Sequence, residues 1–323
     1  MKFIDLFCGI GGFRIAFESV GANCVFSSDI DKYACETYKN NFGEFPLSDI
    51  TKINEKEIPN FDILCAGFPC QPFSIGGLRK GFQDTRGTLF FDIERIIKEK
   101  RPKAFILENV KGLVNHDKGK TLNTIINKLA DRVNGNENLN KFKDCLNYDI
   151  HYKVINSKKF GVPQNRERIY IIGFDKQTDF KFPTGNKEKK LTEVIDYSLE
   201  SNKISPILEN NIETHLKNHK KYSEVKDLEY LLAYEVRKSR STFRFDNLSP
   251  TLTAKMGTGG NNVPVLVNQK RKLSTDECLK IQGYPKNFKI KPNYSQSYKQ
   301  IGNSVSVPVI KALAKEIVKF IEV

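Results

Sequence analysis

Over the first 175 residues, short apolar runs alternate with stretches in which apolar residues recur every three or four positions. Strands are expected at residues 2–7, 23–28, 61–66, 104–108, 151–156 and 168–174, and helices at 14–20, 32–41, 89–100 and 121–133. In the third helical stretch Leu89, Phe90, Ile93, Ile96 and Ile97 share one face. Helix-length segments between successive strands favour parallel pairing, because a tight turn cannot join parallel neighbours. The pattern therefore predicts an α/β fold with a Rossmann-like, doubly wound, mostly parallel sheet. Ligands of such sheets bind in loops beyond the carboxyl ends of the strands.

The texture changes near Pro183, where apolar periodicity weakens and Asn, Lys, Ser and Gly become frequent. Residues 184–300 hold 21 Lys or Arg against 13 Asp or Glu, more than half of the chain's net charge of +14. Arg237, Lys238, Arg240 and Arg244 crowd beside Phe243 and Phe245. A polyanionic partner fits this concentration of charge, since neutralised phosphates release counterions. A solvated basic face is the plainer explanation. Residues 305–321 return to helical order, with Pro308 suited to a first turn and Ile310, Leu313, Ile317 and Phe320 in a stripe. The expected organisation is one domain from residues 1–182 plus 297–323 and a smaller one from 183–296.

Other classes are disfavoured. No apolar run approaches the roughly 18–20 residues of a spanning helix, and Asp5 interrupts the only apolar stretch at the N-terminus. No membrane association is expected. The seven cysteines include no Cys-x-x-Cys pair and the four histidines no His-Glu-x-x-His. A reducing cytosol, no disulfide framework and no metal site follow as expectations.

The first strand runs into Asp5-Leu6-Phe7-Cys8-Gly9-Ile10-Gly11-Gly12. Glycines here let backbone approach a ligand. A dinucleotide fingerprint would place a third glycine where Arg14 stands, which disfavours a nicotinamide cofactor. Asp29 closes the second strand, where a carboxylate can accept from ribose hydroxyls; it can equally cap the helix starting at Lys32. Asp49-Ile50 follow, an acid for an adenine amino group and an apolar side chain for its ring. The order of loop, acid and acid after successive strands points to an adenosine-type cofactor.

Next comes Gly67-Phe68-Pro69-Cys70-Gln71-Pro72-Phe73-Ser74. Two prolines and four glycines within 67–81 predict a long mobile loop at the cofactor edge. Cys65 should be a buried strand residue, whereas a cysteine between Pro69 and Gln71 on a loop is better explained by nucleophilic reactivity. Glu108-Asn109-Val110 leave a further strand on the same side, where Glu108 can meet a ring nitrogen or cap a helix. In Gln164-Asn165-Arg166-Glu167-Arg168, two arginines spaced by two fall on one side of an extended segment. Arg168 can donate to a carbonyl oxygen while Arg166 supports it or meets phosphate; a plain surface pair is the alternative.

These blocks resemble the DNA cytosine-C5 methyltransferases, notably the compact bacterial type II modification enzymes of restriction systems. The resemblance runs in order through residues 5–12, Asp29, Asp49-Ile50, 67–74, Arg86-Gly87-Thr88-Leu89-Phe90, 108–110, 164–168, 271–285 and Gly302-Asn303-Ser304-Val305. It implies a methyltransferase fold that uses S-adenosylmethionine, held by Phe7, Gly9, Gly11, Asp29, Ile30, Asp49, Ile50, Pro69, Leu89, Asn303 and Ser304. It also implies that Cys70 adds to C6 of a flipped-out cytosine, with Glu108 on N3 and Arg168 on O2. The chain departs from relatives in Ile30, where an aromatic residue is frequent, and in Gly76, where some carry a small polar residue that helps fill the hole left by the base.

Residues 183–296 would then be the target-recognition domain for double-stranded DNA. Leu248-Ser249-Pro250-Thr251-Leu252-Thr253-Ala254 with Gly257, Gly259 and Gly260 resembles the Thr-Leu core and groove-entering loops of the family. Arg237, Arg240, Arg244 and Lys255 are candidate base readers, and Thr251 and Gly257 join them as candidate DNA contacts. The resemblance further suggests a cytoplasmic monomer, associated with the nucleoid through DNA, and a separate cognate restriction endonuclease. The tRNA-methylating branch usually carries Pro-Pro-Cys instead of Phe68-Pro69-Cys70 and a shorter recognition region. A silent DNA-binding regulator need not keep Cys70, Glu108 and Arg168 together.

Overall fold

The computed structural model describes residues 1–69, 89–259, 261–292 and 294–321. Cys70, Gly76 and the 86–88 block lie outside them. The apolar runs become β1 (Lys2–Leu6), β2 (Asn23–Ser28), β3 (Ile63–Gly67), β4 (Ala104–Val110), β7 (Tyr148–Asn156) and β8 (Glu167–Phe174). With β5 (Ala130–Val133) and β6 (Asn136–Glu137) they form one eight-stranded sheet in the order β2-β1-β3-β4-β8-β7-β5-β6. Strands β2, β1, β3 and β4 are mutually parallel, and β8 runs antiparallel between β4 and β7. The mostly parallel α/β expectation holds, with an antiparallel insertion at β8.

Helices α1 (Gly12–Glu18), α2 (Lys32–Phe42), α3 (Leu89–Lys100) and α4 (Lys120–Leu129) fill the connections. One sequence reading needs correction. The helix expected over 121–133 stops at Leu129, because residues 130–133 pair with β7 as β5. Tertiary pairing outweighed the local helical pattern there.

The sheet is covered on both faces. On one, Ile4, Leu64 and Phe105 pack with Ile93, Ile97 and Ile125. On the other, Phe3, Ile63 and Ile106 pack with Phe13 and Phe17 of α1 and with Ile310, Leu313 and Ile317 of α9 (Val307–Val318). The last helix thus returns to the first strand, with Pro308 in its opening turn.

A separate four-stranded antiparallel sheet has the order β10-β9-β11-β12: β9 (Leu232–Tyr234), β10 (Thr242–Arg244), β11 (Val265–Leu266) and β12 (Arg271–Lys272). Its strands span two or three residues and lean on α5 (Pro206–Lys217), whose Leu208 and Ile212 pack with Ala233 and Val265. Between this sheet and the large one lie α7 (Thr275–Gln282) and α8 (Ser295–Asn303), in a core that joins Ile10 and Ala34 to Leu232, Leu252 and Ile301. Among the described residues no helix is long and apolar enough to cross a membrane, and no metal-binding cluster occurs.

Candidate active site

The parallel register brings the ends of β1, β2, β3 and β4 to one edge. Leu6 lies beside Ser28 and Ala66, Ala66 beside Leu107, and Gly67 beside Glu108. Because β8 runs the other way, its first residues return to that edge, with Arg168 opposite Val110.

Beyond β1 the chain turns through left-handed backbone at Phe7 (φ 56°), Gly9 (φ 53°) and Gly11 (φ 83°). Gly11 has a second constraint, since a Cβ there would lie 2.3 Å from the Phe42 ring. Beside Gly9 the space is open, with nothing within 4 Å of where a Cβ would stand. Asp29 holds the loop: its carboxylate accepts from the Gly9 amide and from the Asp31 amide, both at 2.8 Å. Burial pushes the Asp29 carboxyl above its ordinary range. The helix-capping alternative belongs to Asp31, which accepts from the Tyr33 and Ala34 amides at the start of α2. Asp5, fully buried beneath the loop, is pushed well up by burial and then by Asp29.

The remaining candidate cofactor residues separate by exposure. Ile30 is 72% exposed, whereas Ile50 is buried in the sheet core. Asp49 accepts from the Thr51 amide and hydroxyl, which hold its carboxyl below the usual range. Pro69 is exposed, Leu89 opens α3 half-buried, and Asn303 is exposed. Ser304 is buried, its hydroxyl donating to the Ile301 carbonyl at 2.8 Å.

On β4, Glu108 is buried and lies 3.1 Å from the Arg168 Nε. Neighbouring Asn109 donates from Nδ2 to the Phe68 carbonyl at 3.0 Å. That bond fixes the backbone two residues before Cys70, which itself lies outside the described residues. Arg168 also donates to the Glu167 carbonyl. Arg166 is not the surface residue of the plain alternative: it is 3% exposed, donating to the Leu252 and Ser304 carbonyls at 2.7 Å and to Gly302 at 3.4 Å. It lies one residue before β8. Burial, then the positive charge of Arg168, lowers the Arg166 guanidinium to about 10.

Arg166 belongs to a buried polar hub. Gln164 donates to the Ile281 carbonyl and to Gln282 Oε1, and accepts from the Leu252 amide at 3.0 Å. Gln282 donates to the Ile301 carbonyl at 2.8 Å. These roles were missed in the sequence, where an interior glutamine looks like any polar residue. They tie β8 to residues 252 and 301–304, which are far apart in the chain.

A match to the family model "C-5 cytosine-specific DNA methylase" covers residues 1–319. The chain belongs to that family. It is 45% identical to type II methyltransferase M.HaeII of Haemophilus aegyptius, over 97% of this chain and 91% of that one. It is 43% identical to M.HhaI of Haemophilus parahaemolyticus, over 98% and 94%. With M1.ScrFI of Lactococcus lactis subsp. cremoris the identity is 44%, over 99% and 79%. The fold is similar to that of Spodoptera frugiperda DNMT2, with a TM-score of 0.70 at 20% identity over 100% and 99% of the two chains. S. pombe Dnmt2 gives 0.71 at 16%, over 99% and 98%. The protein is a DNA (cytosine-5-)-methyltransferase.

In this methyltransferase the candidate DNA contacts occupy different settings. Arg240 is exposed, 4.0 Å from Glu235. Arg237 donates to Asn262 Oδ1 at 2.7 Å. Arg244 is held by both carboxylate oxygens of Asp246, at 2.7 and 2.6 Å. The Thr251 hydroxyl donates to the Asn165 carbonyl at 2.7 Å, fastening this stretch beside the Gln164–Arg168 block. A cleft of about 310 Å³ lies there, lined by Asn165, Arg244, Thr251 and the exposed Lys255. Gly257 faces α8: a Cβ on it would lie 2.4 Å from the Ser295 carbonyl oxygen.

Proposed function

We propose that this methyltransferase takes its methyl group from S-adenosylmethionine and acts on a cytosine flipped out of duplex DNA, with Cys70 as the covalent nucleophile. The observation that carries the reading is the pair of buried Glu108 and half-buried Arg168, 3.1 Å apart, beside the Asn109 clasp on the Phe68 carbonyl. A donor and an acceptor of fixed spacing are thereby held next to the segment that carries the cysteine.

The cofactor loop fits an adenosine-containing group on three counts: open space beside Gly9, a carboxylate at Asp29 and an exposed apolar side chain at Ile30. Gly9, Gly11, Phe7, Asp29, Ile30 and Asp49 would hold it, with Pro69, Leu89, Asn303 and Ser304 around it. S-adenosylmethionine supplies an electrophilic methyl group when bound.

The residues do the rest. Cys70 adds as thiolate to C6 of the cytosine ring, which makes C5 nucleophilic. Glu108 hydrogen-bonds N3, and Arg168 the O2 carbonyl, where charge builds up on addition. Loss of the C5 proton and expulsion of the thiolate restore the aromatic ring and free Cys70. Support for Cys70 also comes from its six described fellows: burial raises the thiol pKa of Cys8, Cys24, Cys35, Cys65, Cys145 and Cys278, the wrong direction for a nucleophile.

Residues 183–296 form the recognition domain in this reading, with residues 1–182 and 297–323 as the catalytic one. Exposed Arg240, Lys255 and Arg237 supply base and phosphate contacts. We further propose a monomeric, cytoplasmic enzyme with a cognate endonuclease acting separately, a reading in keeping with relatives named type II methyltransferases.

The test incubates the protein and a Cys70→Ser variant with labelled S-adenosylmethionine and mixed-sequence duplex DNA, then maps modified bases by bisulfite sequencing. Transfer to C5 at one sequence, absent in the variant, is expected. Transfer to tRNA instead, or cofactor binding with no transfer, would contradict the reading.

A further inference from the structure

Helix α8 touches the recognition segment and, through Asp31 and Thr37, α2 beside the cofactor loop. Its Gly302 presses on the recognition backbone so closely that a Cβ would lie 2.1 Å from the Thr253 carbonyl carbon. One turn earlier, Gly257 sits on Lys299, where a Cβ would come within 2.5 Å of the lysine's own Cβ. The turn 253–257 and the helix therefore have no slack between them. Any shift of that turn moves α8, because close-packed interfaces transmit displacement rather than absorb it.

From the same lysine a chain of short bonds runs to the cofactor loop. The Lys299 ammonium lies 2.8 Å from Asp31 Oδ2. The Asp31 amide donates to Asp29 Oδ1 at 2.8 Å, and Asp29 Oδ2 accepts from the Gly9 amide at 2.8 Å. Burial pushes the Asp31 carboxyl up, but the hydrogen bonds from Lys299 and the Ala34 amide outweigh it and keep the group below its usual range. A second tie runs in parallel: the buried Thr37 hydroxyl of α2 donates to Gln300 Oε1 at 2.8 Å.

We propose that Lys299 is a positioning residue: through Asp31 it ties the seating of the 253–257 recognition turn to the shape of the Gly9–Asp29 cofactor loop. DNA that seats the turn thereby tightens the cofactor, and the cofactor tightens cognate DNA by the same factor, since coupling is reciprocal. The inference rests on the reading that residues 183–296 bind DNA and that the loop binds S-adenosylmethionine.

The experiment measures the Kd of S-adenosylhomocysteine, a product that allows binding without turnover. It is measured alone, with a duplex carrying the sequence mapped by bisulfite reading, and with a scrambled duplex. The cognate duplex is expected to tighten binding about fivefold or more, the lower range of ordinary coupling, and the scrambled one not. Lys299→Ala is expected to bring that factor close to one, and Lys299→Arg to restore most of it. Asp31→Asn keeps a capping side chain on α2 but removes the ion pair, and should reproduce the loss if Lys299→Ala merely unfolds. An unchanged factor in both variants, or weakening equal with and without DNA, would overturn the proposal. Absence of tightening in the unaltered protein would overturn it too, while failure to bind S-adenosylhomocysteine at all would defeat the cofactor reading beneath it.

Discussion

In the proposed function the two sheets of the molecule serve different tasks. The large sheet has strands of up to nine residues, and at its functional edge Glu108, Asn109, Gln164 and Arg166 are all buried and most are bonded to backbone carbonyls or amides. The small sheet has strands of two or three residues; Arg271 of β12 is buried against Glu277, but around β9 and β10 charged side chains pair nearer the surface, as Arg240 does with Glu235 and Arg244 with Asp246. Chemistry on a ring requires groups fixed to fractions of an ångström, so the edge is over-determined. Reading a groove requires a surface whose long side chains can change partners at small cost. Thr251 and Arg166 are the rivets between the two, one bonded across to Asn165 and the other to Leu252.

If that contrast is right, Arg166→Ala has the largest effect. Removing the guanidinium takes the donor from the buried Leu252 carbonyl and leaves Ser304 only the longer bond from Gln282, a loss of about 3 kcal/mol, read as a lowered denaturation midpoint. A variant as stable as the parent would mean the hub is not a rivet. Glu108→Gln keeps the shape but removes the charge opposite Arg168. Turnover should fall about 100-fold or more with little change in melting temperature, measured by labelled methyl transfer.

On the recognition side, Arg240→Ala and Arg244→Ala should change stability by less than about 1 kcal/mol. Arg240→Ala should weaken DNA binding and reduce its salt dependence, because its side chain is open. Arg244→Ala should do so less, since Asp246 already neutralises it. Equal effects would break the distinction between a loosely paired and a tightly held arginine. The smallest effect concerns pH. Asp31 titrates below its unfolded value, so its pairing stabilises the fold above about pH 4 and is lost as the pH falls through the lower folded value. The stability gap between the parent and Lys299→Ala should therefore be present at pH 7 and close in acid, followed by thermal melts across pH.

Much of the large sheet was legible because β1, β2, β3, β4, β7 and β8 are short, largely apolar runs, the first four of them separated by helix-length stretches. The candidate catalytic edge was legible for the same reason, since it consists of strand ends. What the sequence hid is what depends on distant pairing. Residues 130–133 read as the end of a helix until β7 gives them a partner. Arg166 looks like a surface charge until Leu252 and Ser304 close over it. Gly257 resembles a groove-entering glycine, yet its lack of a side chain is what lets Ser295 and Lys299 approach. Asp31, two residues past Asp29, carried a signal that could have been used: an acid just before a helix start is a capping residue.

The most direct test of the central claim uses a duplex with 5-fluorocytosine at the mapped target base, incubated with the protein and S-adenosylmethionine and run on a denaturing gel. With fluorine at C5 there is no proton to lose, so an adduct at C6 cannot be released. The account predicts a denaturant-resistant protein–DNA band that disappears in Cys70→Ser. No such band in the parent protein, or an equal band in Cys70→Ser, would contradict it.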